Sequence, residues 1–139
     1  MVTVQLIVGQ SDIDDQISAL MRESTTLKDE KRMHAAVACL YKAKTLMLES
    51  PFVYTAEKWC KLPLYLQQAG MFSESMHEFQ FLLDDLPRRV RRDTSLDDPN
   101  VDTLSRKQKR YKRLLDDDTK TIEAKRALAK KRQEKRVKP

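Results

Sequence analysis

Glycine is scarce in this chain. Gly9 and Gly70 are the only two, and five prolines complete its set of strong backbone breakers across 139 residues. So few breakers exclude a fold of many short strands joined by tight turns, and they favour helices. A glycine-rich phosphate loop, a nucleophile elbow and an H-E-x-x-H stretch are all missing. Cys39 and Cys60 are too few for a disulfide scaffold and read as small core residues that stay reduced. His34 and His77 fall on charged helical faces, and neither stands at metal-ligand spacing from a cysteine or from the other. No run of 18 apolar residues occurs, which excludes a transmembrane helix. Residues 1–8 lack the basic region and long apolar core of a signal peptide. These absences lead us to expect a non-enzymatic cytoplasmic protein with no cofactor, no metal and no membrane association.

What is present is charge, unevenly placed. Residues 1–86 carry 8 Lys/Arg against 12 Asp/Glu, a balance of −4. Residues 87–100 carry 4 against 3, and residues 101–139 carry 15 against 6, a balance of +9. The chain is a mildly acidic body with a basic tail. That asymmetry suits an anionic partner for the tail. The carboxylate clusters Asp14-Asp15, Asp84-Asp85 and Asp116-Asp117-Asp118 read as helix ends rather than metal sites.

Periodicity sets the organisation. Val2, Val4, Leu6 and Val8 alternate with other residues as in a strand. Residues 1–10 are therefore expected to form an extended arm. It would pair with a second copy in a homodimer, add to a partner's sheet, or lie across the helices. Residues 11–87 read as a helical domain. Ser11 opens a first helix with Ile13, Ile17, Leu20 and Met21 on one stripe. A second runs from about Leu27 to Leu48, with Met33, Ala36, Val37, Leu40, Ala43 and Met47 inward; Ser50-Pro51 ends it. Thr55 caps a third helix, which Gly70 closes. Ser73 caps a fourth, which Pro87 stops. Residues 88–100 read as a linker. Residues 101–139 read as a basic helical tail that Asp116-Asp117-Asp118 divides and whose last ten residues fray.

Four positions recur 39 residues apart: Leu20 with Trp59, Ala36 with Ser75, Leu40 with Phe79, and Ala43 with Leu82. Close helix packing needs this alternation of large and small side chains. The stretch Trp59-x2-Leu62, Gly70-x-Phe72, Ser75-x3-Phe79-x2-Leu82, Pro87 resembles a tetratricopeptide repeat over about 56–89, and more weakly over about 17–51. Pro63, Leu66 and Ser75 depart from the family's small, tyrosine and alanine positions, and 39 exceeds its period of about 34. The resemblance implies an all-α fold of two stacked antiparallel helical hairpins that binds another protein. The basic C-terminal helix would then cap the last hairpin.

The expected function is a protein–protein interaction module, a subunit of a complex. Tyr41, Lys44, Lys61, Tyr65 and Gln68 are the candidate partner-binding residues on its concave face. A second expectation is a nucleic-acid-associated accessory protein. Its contacts to nucleic acid or an acidic partner would be Arg88, Arg89, Arg91 and Arg92, then Arg106, Lys107, Lys109, Arg110, Lys112 and Arg113. A third is an immunity or inhibitor protein for a cognate toxin or enzyme, although the basic tail argues against a nuclease target.

Overall fold

The computed structural model describes residues 9–92 and 104–137. Among the described residues the chain is all-α: helices α1 (Gly9–Asp29), α2 (Met33–Glu49), α3 (Ala56–Gln68), α4 (Phe72–Arg91) and α5 (Leu104–Val137), with no strand. Helices α1 and α2 form one hairpin and α3 and α4 the next. They are joined where α2 packs beside α3, and α5 lies against both α3 and α4. The expected strand at 2–8 and the linker residues 93–100 lie outside the described residues.

The two hairpin turns have the same backbone. After α3, Gly70 takes φ +83°, Gly70 N donates to Gln67 O (3.1 Å) and Met71 N to Leu66 O (2.8 Å). This is the paired-bond closure that satisfies a helix's last carbonyls. After α1, Lys31 takes φ +63°, Lys31 N donates to Lys28 O (2.9 Å) and Arg32 N to Leu27 O (2.8 Å). The next residues, Arg32 (φ −103°, ψ 65°) and Met71 (φ −104°, ψ 63°), open α2 and α4 with almost identical dihedrals. Lys31 and Gly70 are 39 residues apart, the spacing of the side-chain repeat. The repeat is therefore one of conformation as well as of side-chain size. A lysine in the left-handed region carries a Cβ penalty that glycine escapes. Lys31→Gly is expected to raise stability by roughly 0.5–1 kcal/mol, read as a higher urea midpoint at unchanged slope.

Burial follows the repeat. Ala36 and Ser75, Leu40 and Phe79, and Ala43 and Leu82 are all buried. One core cluster draws on all five helices, through Ile17, Ala43, Met47, Trp59, Cys60, Phe79, Leu82, Leu86, Ile122 and Ala129. A second joins Leu27, Val37, Leu40, Leu62, Tyr65 and Leu66 across the first three. The hydroxyl of buried Ser75 donates to the carbonyl of Pro63 (2.6 Å), tying α4 to α3 beside the proline. That bond explains a serine where the resembled family has alanine.

Several boundaries differ from expectation. Gly9 and Gln10 belong to α1 rather than to an arm. That helix runs on through Ser24–Thr26 to Asp29: Ser24 and Leu27 are buried against the body, and the hydroxyls of Ser24, Thr25 and Thr26 are satisfied by carbonyls one turn earlier. Leu27 therefore ends α1 instead of opening α2. Helix α4 starts at Phe72, not after Ser73, and passes through Pro87 to Arg91. The stretch beyond Pro87 is held by buried Val90 and by Arg89 and Arg92, so residues 88–92 are not linker. Helix α5 is continuous across Asp116–Asp118, and it stays helical to Val137 instead of fraying from Lys130.

Candidate interaction surfaces

Four of the five residues expected on a concave binding face are engaged within the chain. Lys44 Nζ donates to both carboxylate oxygens of Glu78 (2.9 and 2.8 Å) and stands 4.2 Å from the centre of the Phe81 ring. Lys61 Nζ donates to Met21 O (2.8 Å) and Thr25 Oγ1 (2.7 Å). Burial, and then the nearby Lys28, lowers the Lys61 ammonium below the ordinary lysine range. Tyr65 is buried, with Lys28 and Lys61 over its ring. Gln68 is half-buried and its carbonyl accepts from Arg136 (2.8 Å). Tyr41 is exposed; partial burial, followed by Glu78 and Glu74, raises its phenol above the usual value. The positions chosen for recognition thus include the polar ties between the hairpins.

The four-arginine run serves the fold in the same way. Arg89 donates to Asp85 (2.9 Å) and to Leu82 O (2.7 Å), and its guanidinium stacks 5.0 Å from the Trp59 ring. Arg88 makes a two-pronged contact with Asp85 (2.8 and 3.0 Å). Burial pushes the Asp85 carboxyl up, but the hydrogen bonds from Arg88 and Arg89 outweigh it and hold it below the ordinary value. Arg92 donates to Leu48 O (3.4 Å) and to Ser50 O, tying the end of α4 to the end of α2. Ser50 Oγ accepts from Phe52 N (3.1 Å) and meets the Tyr54 hydroxyl, which donates to Asp14 (2.8 Å). Arg91 is exposed, 5.7 Å from the Tyr111 ring.

A further concavity lies on neither of these surfaces. A groove of about 540 Å³ opens between α1 and α2, lined by Gln16, Ala19, Leu20, Glu23, Lys42, Thr45 and Leu46. Its floor is apolar, from Ala19, Leu20 and Leu46, and its rim carries Gln16, Glu23, Lys42 and Thr45. Leu20 and Leu46 also pack against the core cluster, which Ile17, Ala43 and Met47 of the same helices help to form. The sequence signal was Ala19, an exposed apolar residue that stands off the buried stripe of α1.

On α5 the second basic run divides by face. Arg106, Lys109, Arg110 and Arg113 border a shallow concavity of about 210 Å³. Lys112 is exposed and Lys107 half-buried. His34 and His77 are both exposed. Cys60 is buried, and burial pushes its thiol up to about 12, whereas Cys39 is half-buried. Among the described residues no group of three or more His, Cys, Asp or Glu could hold a metal ion, and no helix is long and apolar enough to cross a membrane. In comparisons with protein-family models, with curated proteins and with solved structures, none matches this chain.

Proposed function

We propose that this chain is a non-enzymatic protein-interaction module of tetratricopeptide type, acting in the cytoplasm as a subunit of a complex, and that it takes a segment of a partner protein in the groove between α1 and α2. The groove is the observation that carries this reading. The outer face of a terminal hairpin is ordinarily polar, because no further repeat covers it. Here it holds about 540 Å³ floored by Ala19, Leu20 and Leu46. An apolar floor within a polar rim fits the anatomy of a protein-binding site, in which the floor supplies affinity and the rim register. The remaining charged side chains of the first hairpin are consistent with this division. Lys44 is tied within the chain, whereas Glu23 and Lys42 stand at the rim.

The test places a photo-crosslinking residue at Thr45 and, as a reference, at exposed Lys120 on α5. Irradiation in native lysate, with nuclease added, is expected to give one discrete protein adduct from Thr45 and none from Lys120. Ala19→Glu with Lys42→Glu, at two exposed positions of the lining, is expected to abolish that adduct while leaving the helical circular dichroism and unfolding midpoint nearly unchanged. Equal adducts from both positions, or an adduct that survives the double substitution, would refute the reading.

A further inference from the structure

The first turns of α5 form a second surface, independent of the groove. At 100° per residue, the side chains that pack α5 on the body, Tyr111, Leu115, Ile122 and Ala129, share one face of the helix. On the same wheel Arg106, Lys109, Arg110 and Arg113 centre about 160° away, on the opposite face. Arg106, Lys109 and Arg113 are exposed and Arg110 is half-buried, and the four line one concavity. Seven residues of helix span about 10 Å, and the same length of double-stranded nucleic acid carries about six phosphate charges. Helix α5 as a whole holds 14 Lys/Arg against five Asp/Glu.

We propose that the outward stripe Arg106, Lys109, Arg110 and Arg113 binds the phosphate backbone of a nucleic-acid duplex without regard to sequence. Three observations select this occupant over other anionic partners. Single-strand binding uses aromatic platforms for the bases. Tyr111 is the one aromatic residue of α5, and it faces the body against Arg91. Insertion into an anionic bilayer requires large apolar residues beside the cations. Leu114 and Leu115, which follow the stripe, are packed against the core cluster instead. Docking on an acidic protein relies on buried aromatic or aliphatic anchors, and the lining of this concavity is wholly cationic. Arg106 and Arg110 also engage within the chain. A guanidinium presents five donors, more than a single contact uses.

The test titrates the full chain into labelled 20-base-pair DNA duplexes of two unrelated sequences, at several salt concentrations. Both duplexes are expected to bind equally within about threefold, with about 0.9 logarithmic units of salt slope for each phosphate engaged. The variant R106Q/K109Q/R110Q/R113Q is expected to reduce that slope by about 3–4 and the affinity at least tenfold. A reference variant, K130Q/K131Q/R132Q/K135Q, removes the same charge from exposed positions further along α5 and is expected to lose several-fold less. Glutamine is a good helix former, and circular dichroism verifies that both variants fold. Equal loss in the two variants would show diffuse attraction and overturn the proposal. So would tighter binding of a single strand than of the duplex, or stripe-dependent binding of polyglutamate or anionic vesicles in place of nucleic acid.

Discussion

Phe79→Ala is expected to cost about 3–5 kcal/mol of folding stability, at the top of the range for a single truncation. Phe79 is fully buried on α4, in the cluster that also contains Trp59, Ala43, Met47, Ile122 and Ala129. Truncation removes the ring's transfer free energy and leaves a hole that the surrounding helices fill only in part. Because that cluster reaches from α1 to α5, the loss is expected to appear as weakening of the whole cooperative unit rather than fraying at one end. Domains of this size have about 5–15 kcal/mol in total, so the variant would be marginal at 37 °C. Urea unfolding followed by far-ultraviolet circular dichroism and by Trp59 fluorescence checks both points. A loss below 1 kcal/mol, or two transitions separated by probe, would contradict a core shared by the hairpins.

Glu78→Ala is expected to cost about 2–3 kcal/mol, below the 3–5 typical of breaking a fully buried pair. Glu78 is 8% exposed and Lys44 21% exposed. Removing the carboxylate leaves an ammonium between α2 and α4 with no counter-charge and two donors unanswered. Some solvent access and the Phe81 face soften the penalty. The double replacement Lys44→Met with Glu78→Leu is expected to recover most of the loss, since apolar residues of similar size pack without the desolvation cost. A double-mutant cycle from urea midpoints checks this. Single variants that each cost under 0.5 kcal/mol would show the pair to be a surface contact only.

The Phe79 expectation rests on a position that the sequence made legible; that for the Lys44–Glu78 pair does not, because Lys44 read as a partner contact. The spacing that matched Ala36 to Ser75 and Leu40 to Phe79 gave the hairpin registers, because helix-to-helix distance is set by side-chain size at those points. What escaped was whatever tertiary contact overrides. Pro87 lacks a donor and disfavours helix, yet Val90, Arg89 and Arg92 anchor the turn that follows it. The triple aspartate is a poor helix segment alone, but Tyr111 and Leu115 before it and Ile122 after it all face the body. Lys31 hides the first hairpin turn, because a left-handed residue is recognised in sequence by glycine. The arginines at 88, 89 and 92 looked like a nucleic-acid patch because charge alone cannot distinguish an exposed cation from one that caps carbonyls or stacks on Trp59. The groove was least legible, since a concavity depends on which helices diverge and not on any one helix's pattern.

The docking of the last turns of α5 on the end of α3 has a consequence for how the chain is made. Gln133 pairs with Gln67, and Arg136 reaches Gln68 O, across 66 and 68 residues of sequence. A ribosome adds about 5–20 residues per second. It therefore needs about 2–9 s to pass from Arg92 to Val137 at those rates. In the course of that interval the hairpins, whose turns are local, can close before α5 is complete, while the face that Ile122 and Ala129 will cover stands bare. The nascent chain is thus most exposed to capture by chaperones, or by a second copy of itself, just before its final turns emerge.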